Sequence, residues 1–235
     1  MQPWEDPRIA SGMKAQLEKR RERIAAGEKP LGWKVGFGSP SAKERLNIKG
    51  GAVGYLMQRG LVLSGSTVSF AGWKKPAAEC EIAVRMGQNL GGGASPETAA
   101  AAIKEVLPAI ELADFDPPPT ADNIGDMIGT NIYHRHVILA GVTRPGAGTD
   151  GLTSKLIRRG SEAATTNKPE ELTGKLPEIV ALVANTLAAN GETLKAGDII
   201  ITGSITPPIM LEKDETGLGH VLDPIGEVSV NFDWD

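Results

Sequence analysis

Hydrophobic residues recur with helical spacing in three parts of the chain. Over residues 7–26 they form one face of an amphipathic helix whose other face is dense in Lys, Arg and Glu, and Gly27 is placed to end it. Ser95, followed by a proline and a glutamate, is a good N-cap for an alanine-rich helix, and Pro108 is expected to mark its end. A third helix is predicted over residues 177–189.

Other segments have the shorter period of strands. Between Leu31 and Ala83, β-branched runs such as residues 61–63 and 67–70 are separated by glycines. Further strands are predicted over residues 198–202 and 227–232, and apolar and polar residues alternate strictly in the last of these. The pattern therefore predicts a strand-rich α+β fold with peripheral helices.

Composition narrows the class of protein without identifying it. The 235 residues are 40% hydrophobic and 23% charged, and the net charge of -4 provides no electrostatic reason to expect a nucleic-acid partner. No run approaches the ~18 apolar residues of a membrane span, and residues 1–12 lack the apolar core of an export signal. The single cysteine, Cys80, excludes an intrachain disulfide, so a cytoplasmic protein is expected.

Two glutamates, Glu79 and Glu81, are the first candidates for chemistry. Cys80, Ile82 and Val84 form one apolar face of the predicted strand, so the strand period puts both carboxylates on the other face. Side-by-side anions repel one another unless a divalent cation lies between them, and magnesium favours such oxygen ligands. The alternative is an ordinary solvent-facing strand that carries two acids.

Three further features are compatible with a site and also with an ordinary fold. Glu111 interrupts an apolar run and is either a buried acid that needs a partner or an edge-strand residue in solvent. Lys34, between Trp33 and Val35, is either desolvated, and so closer to exchanging protons, or on a wet face. The turn over residues 202–207 offers hydroxyl and backbone N–H groups to a carboxylate.

Several other patterns are set aside. The glycines near Gly36 lack the spacing of a dinucleotide fingerprint, and no phosphate-binding P-loop is present. His134 and His136 can face one way on a strand as metal ligands, but the intervening Arg135 and the lack of a nearby acid favour a structural or surface role. Both histidines are therefore left outside the predicted site.

Four motifs, taken in order, resemble one branch of a known superfamily. The motifs are Gly32-Trp33-Lys34-Val35-Gly36, Glu79-Cys80-Glu81-Ile82-Ala83, Leu107-Pro108-Ala109-Ile110-Glu111 and Gly197-Asp198-Ile199-Ile200-Ile201-Thr202-Gly203-Ser204. With them, the chain resembles the 2-keto-4-pentenoate hydratase and 4-oxalocrotonate decarboxylase branch of the fumarylacetoacetate hydrolase superfamily from Leu31 to its C-terminus. The resemblance implies a mixed β-roll with peripheral helices, divided into an N-terminal helical segment (1–30) and a catalytic β-roll domain (31–235).

The resemblance also implies a chemistry. It implies a Mg²⁺ or Mn²⁺ ion chelated by a small 2-oxo acid, with Lys34 shuttling a proton to or from a metal-stabilised enolate. The expected activity is a hydratase acting on an unsaturated 2-oxo acid, and the expected assembly is a homo-oligomer. The implied metal ligands are Glu79, Glu81 and Glu111, and the implied substrate-binding residues are Asn131, Thr202, Ser204 and Thr206.

Departures from the branch leave two alternatives open. Arg59 stands near an expected acid, and Thr130 replaces an aspartate beside Asn131. A decarboxylase acting on a 2-oxo dicarboxylate shares the same enolate, and a non-catalytic paralogue serving as a partner subunit fits the two departures. Hydrolytic relatives use a histidine upstream of the Glu79 strand, whereas all three histidines here lie downstream, which disfavours hydrolysis.

Overall fold

The structure, a computed structural model, describes residues 2–235. Met1, the first residue of the helical segment predicted over 1–30, lies outside the described residues. The helices are α1 (Pro7–Ala25), α2 (Pro40–Leu46), α3 (Pro96–Ala102), α4 (Ile124–Gly129) and α5 (Leu176–Ala189). The strands are β1 (Pro30–Gly36), β2 (Ala52–Met57), β3 (Leu61–Leu63), β4 (Thr67–Ser69), β5 (Pro76–Met86), β6 (Ile103–Asp114), β7 (His134–Leu139), β8 (Arg144–Pro145), β9 (Thr153–Arg158), β10 (Ser161–Thr166), β11 (Ile199–Ser204), β12 (Ile209–Met210), β13 (Gly217–Asp223) and β14 (Gly226–Asp233).

The strands form two mixed sheets. The larger has nine strands in the order β2-β1-β11-β5-β6-β7-β3, with β12 beside β5 and β8 beside β6. The smaller has the order β10-β9-β13-β14-β4. Parallel pairs, such as β1 with β11, occur among antiparallel ones, which confirms the predicted mixed α+β fold.

The larger sheet is rolled. Leu56 of β2 and Leu61 of β3, which belong to strands at opposite ends of the sheet order, pack against the same apolar cluster, with Val137 and Ile201. Side chains so distant in strand order meet only if the sheet curls. This small cluster and the three glutamates therefore line its concave face.

The opposite face of the larger sheet is covered by the smaller sheet and by helices. Cys80 and Ile110 of the larger sheet pack against Val228 and Val230 of β14. Elsewhere α1 and α5 pack on this sheet through the main apolar core. Cys80 is a buried free thiol, in line with the absence of an intrachain disulfide.

Local patterns predicted α1, α5 and the last strand to within a residue or two. The helix at Ser95 is an exception, because α3 ends at Ala102 and Pro108 lies within β6, paired with Ile82. The residues from Ile103 onward complete a long ladder with β5, which outweighs the local helical tendency. Pro108 has no N–H to donate, but its carbonyl still accepts a bond of 3.3 Å from Ala140 N.

No helix in residues 2–235 combines the length and the apolar character that a membrane crossing requires.

Candidate active site

Three carboxylates meet at the centre of the larger sheet. Glu79 and Glu81 alternate along β5, and Glu111 on β6 pairs directly with Glu79, so all three side chains lie on the concave face. One carboxylate oxygen from each lies within 4.8 Å of the other two. The structure therefore brings together the three glutamates that the sequence predicts as metal ligands.

The neighbours of these three carboxylates give them unequal pKa values. Loss of solvent, followed by the charge of Glu111, raises the pKa of Glu79 to about 7. The same two causes and the charge of Glu79 raise the pKa of Glu81 well above its ordinary value. Burial alone would also raise the pKa of Glu111, but the nearby charge of Lys34 and a hydrogen bond from His134 outweigh it and lower the pKa.

The donor set suits a hard divalent cation. Glu81 Oε1 and Glu111 Oε2 are buried and have no hydrogen-bond partner among the described residues. Unpartnered buried oxygens of this kind cost free energy unless something binds them. Carboxylate oxygens are the ligands that Mg²⁺, Mn²⁺ and Ca²⁺ prefer, so the three glutamates fit such an ion.

Lys34 projects from β1 into the same site. Its side chain is 2% exposed, so the wet-face alternative is wrong. The ammonium group donates to Glu111 Oε1 in a short contact and to the carbonyl of Ile132 at 3.1 Å. A buried lysine held by a carboxylate and a carbonyl has a fixed position from which a proton can be exchanged.

Asn131 lies close to Lys34, but its amide is used within the fold. Its Oδ1 accepts from Tyr55 N at 2.8 Å and its Nδ2 donates to Tyr55 O at 2.9 Å. The backbone at Asn131, Ile132 and Tyr133 is left-handed throughout, with φ of 68°, 52° and 62°. The amide braces this strained run against β2, and the run carries the carbonyl that receives Lys34.

The predicted carboxylate turn lies beside Glu81, and its hydroxyls differ in their contacts. Thr202 Oγ1 donates to Ile82 O at 2.8 Å, which commits that hydroxyl to the backbone. Gly203 N donates to Glu81 Oε2 at 2.6 Å. The hydroxyl oxygens of Ser204 and Thr206 are buried without a partner in the described part of the chain, so they are free to bind a ligand.

His134 belongs to the site although its sequence pattern placed it outside. Its Nδ1 lies 2.7 Å from Glu111 Oε1, and its side chain is 6% exposed. Burial lowers its pKa despite the adjoining carboxylate. The nearby acid is Glu111, which lies on the neighbouring strand β6. The spacing of residues within β7 gave no sign of it.

The second histidine of the pair, His136, lies elsewhere. Its ring stacks on Trp73 at a centroid separation of 5.9 Å. A register shift between Leu112 and Ala113 interrupts the pairing of β6 with β7, which allows the two histidines to enter different environments. The expected structural role suits His136, whereas for His134 the premise that no acid lies nearby is wrong.

The two departures from the branch pattern lie outside the carboxylate cluster. Arg59 is exposed in a short 3-10 turn, Gln58–Gly60. Thr130 Oγ1 donates to the carbonyls of Asp126 and Met127, each at 3.1 Å, at the end of α4. Neither side chain hydrogen bonds to the glutamates.

Comparison with known proteins gives consistent results. The family profile described as fumarylacetoacetate (FAA) hydrolase C-terminal matches residues 40–224. The chain is 28% identical over 220 residues to a 2-hydroxyhexa-2,4-dienoate hydratase of Comamonas testosteroni, covering 92% of this chain and 83% of the relative. It is 27% identical over 197 residues to a 4-oxalocrotonate decarboxylase of Pseudomonas sp, covering 80% and 73%.

Solved structures resemble the fold. The 4-oxalocrotonate decarboxylase from Pseudomonas putida G7, complexed with magnesium and adipate, superposes with a TM-score of 0.85 at 25% identity, over 96% of this chain and 86% of that one. A fumarylpyruvate hydrolase from Pseudomonas aeruginosa, in complex with Mn²⁺ and pyruvate, has a TM-score of 0.67 at 14% identity, over 86% and 89%. At that identity the second likeness concerns the fold alone.

Proposed function

The chain belongs to the fumarylacetoacetate hydrolase family, and we propose that it is a metal-dependent hydratase acting on a small unsaturated 2-oxo acid. One observation carries the proposal. Three carboxylates converge within 4.8 Å on a concave sheet face, beside a buried lysine. Such a cluster is costly to bury unless a cation offsets its negative charge.

We assign the divalent cation to Glu79, Glu81 and Glu111. Mg²⁺ is the first proposed ion, because the similar 4-oxalocrotonate decarboxylase structure contains magnesium. Mn²⁺ is the alternative, because it also binds carboxylate oxygens. Bound there, the ion would polarise the 2-oxo group and stabilise the negative charge that develops when the neighbouring carbon loses a proton.

The protein's own groups position the substrate and move the proton. The free hydroxyls of Ser204 and Thr206 are the proposed donors to the substrate carboxylate. Lys34 Nζ, fixed by Glu111 and Ile132, is the proposed proton carrier. Thr202 and Asn131 support the site through the backbone bonds that they make, which keep the turn and Lys34 in place.

Decarboxylation of a 2-oxo dicarboxylate is the second candidate activity. It is supported by the similarity to 4-oxalocrotonate decarboxylases and requires the same stabilised negative charge. A panel of unsaturated 2-oxo monocarboxylates and 2-oxo dicarboxylates, assayed for water addition and for released carbon dioxide, separates the two. The absence of turnover on the whole panel, despite metal binding, would favour the non-catalytic partner subunit.

We also propose that the protein is a homo-oligomer. Light scattering, which measures the molar mass in solution, tests this proposal.

The site itself is tested by thermal unfolding of wild type and Glu81→Gln, with and without Mg²⁺ and oxalate. Oxalate is a planar mimic of a 2-oxo acid enolate, and a ligand present at 100 times its Kd stabilises the folded state by about 2.7 kcal/mol. Wild type should be stabilised by Mg²⁺, and oxalate should act only when Mg²⁺ is present. Glu81→Gln should respond to neither.

The metal-free proteins provide the control. The Glu81 carboxyl is buried among other acids, so its neutral amide counterpart should unfold at the same temperature or higher. The proposed site is wrong if Glu81→Gln is as stable as wild type without metal and still gains stability from Mg²⁺ and oxalate.

A further inference from the structure

His134 contacts the carboxylate cluster without a role in the proposed reaction. It is the first residue of β7 and follows the left-handed run that ends at Tyr133. Its Nδ1 is 2.7 Å from Glu111 Oε1, the same oxygen that receives the ammonium of Lys34. One oxygen of Glu111 therefore has two partners, whereas the other, Oε2, is buried with none in the described chain.

Hydrogen-bond chemistry places the proton between His134 and Glu111 on the histidine. A carboxylate oxygen beside an ammonium is ionised and only accepts, so the imidazole Nδ1 donates. In the neutral ring Nε2 is then an acceptor, and it is buried without a partner among the described residues. The imidazole thus acts on Glu111 through a single donated bond.

We propose that His134 is a positioning residue that holds Glu111 Oε1 away from the cation and leaves Oε2 as the metal-binding oxygen. The inference rests on the proposed metal site. With Lys34 and His134 on Oε1, the Glu111 carboxylate can neither rotate freely nor bind the cation through both oxygens. Residues that orient a ligand in this way commonly contribute roughly 10- to 100-fold to metal affinity.

Three substitutions at His134 separate the donated bond from the rest of the ring. Asparagine places an amide N–H close to the Nδ1 position, glutamine places its polar end near Nε2, and leucine has neither. His136→Leu is the matched control, because His136 lies two residues along the same strand and stacks on Trp73 without a bond to Glu111.

Mn²⁺ is titrated into each metal-free, full-length protein by calorimetry at one fixed pH, and thermal unfolding in chelator verifies the fold. His134→Leu and His134→Gln should bind Mn²⁺ roughly 10- to 100-fold more weakly than wild type. His134→Asn should recover most of the affinity, and His136→Leu should match wild type. Recovery by asparagine and not by glutamine is a pattern that a general packing role does not produce.

The outcomes distinguish this inference from the proposed function. If wild type binds Mn²⁺ and His134→Leu binds it equally well, the positioning role is wrong and the metal site stands. Equal losses in His134→Leu and His136→Leu also overturn the role. If wild type does not bind Mn²⁺, the metal site and the inference fall together. Should the leucine variant not fold, the asparagine and glutamine variants decide the question.

Discussion

The site concentrates charge where burial makes charge expensive. Glu81, Glu111 and Lys34 are each at most 2% exposed, and only Glu111 receives the ammonium. Burial and then the like charges of the neighbouring carboxylates raise the pKa of Glu79 and Glu81, and the repulsion between these acids destabilises the cluster unless a cation offsets it. At the residue scale, these buried charges are not explained by stability, because apolar side chains of similar volume would stabilise a core equally well or better.

Gly54 makes room for the lysine in this arrangement. A Cβ at this position would lie 2.7 Å from Lys34 Cγ and 3.0 Å from Asn131 Oδ1. Gly54→Ala should therefore displace the Lys34 ammonium, and a misplacement of about 1 Å can cost about 100-fold in turnover. We expect kcat for the substrate found by the panel to fall at least about 10-fold, with a stability loss of about 1–3 kcal/mol.

Gly91→Ala is the control for that substitution, because nothing lies within 4 Å of a Cβ built at Gly91. Its stability should stay within about 0.5 kcal/mol of wild type, with kcat unchanged. Wild-type kcat in Gly54→Ala would show that the position of Lys34 does not limit the reaction.

At the scale of elements, the connection from α4 to β7 ties the helical side of the fold to the site. Three successive left-handed residues are unusual outside glycine, and each costs free energy that neighbouring contacts must offset. The Asn131 amide supplies two of those contacts through Tyr55, and Ile132 O positions Lys34. A short connection thus sets the position of Lys34, the proposed proton carrier.

Asn131→Ala should destabilise the protein and impair turnover together. The substitution leaves the buried N–H and C=O of Tyr55 without partners, at about 1–3 kcal/mol for each unsatisfied group. We expect about 2–6 kcal/mol lost in urea unfolding, with a lower kcat because the run that carries Ile132 O relaxes.

Asn185→Ala is the matched control for the bracing role. Asn185 holds the backbone of Ala94 with the same pair of bonds, at 3.0 and 2.9 Å, away from the glutamates. It should lose stability without losing kcat. Wild-type stability in Asn131→Ala, combined with a raised KM alone, would instead assign the Asn131 amide to the substrate.

For the whole molecule, one buried histidine links the two sheets. His220 of β13 is 0% exposed, its Nδ1 is 3.0 Å from Ala109 O in the larger sheet, and its Nε2 is 3.0 Å from Ser154 Oγ in the smaller one. Burial lowers its pKa to about 4. The neutral ring is therefore the form that joins the sheets behind Glu111.

The free energy of unfolding should fall as the pH is lowered toward the value at which the His220 ring accepts a proton. The unfolded chain takes up the proton as pH falls through about 6.5, while the folded ring resists until about pH 4, so the folded state loses stability across that window. A pKa unit corresponds to roughly 1.4 kcal/mol, which makes the loss about 3 kcal/mol at pH 4. Urea unfolding of wild type between pH 7 and pH 4 measures it.

His220→Gln removes the titrating group and provides the comparison. Its free energy of unfolding should depend less on pH over the same range, so the gap between the two proteins should change by about 3 kcal/mol. Parallel curves of the free energy of unfolding against pH would show that another group governs the acid response.

The division into an N-terminal helical segment over 1–30 and a catalytic domain over 31–235 stays a prediction.

By itself, the sequence determined the features that depend on neighbouring residues. The spacing of apolar residues, together with capping residues and glycine stops, predicted α1, α5 and the last strand. These signals act within a few residues of one another. Strand alternation placed Glu79 and Glu81 on one face for the same reason. The order of four motifs indicated the family.

The family resemblance already implied that Glu111 meets Glu79 and Glu81, but only the tertiary structure decided which other side chains meet. The contact of His134 with Glu111 and the bracing of Tyr55 by Asn131 also join residues distant in sequence, and only the structure revealed them. Strand register and the irregularity beside Ala113 are set by packing across the sheets, and a shift of one residue turns a side chain to the other face. Local spacing contains no information about that register.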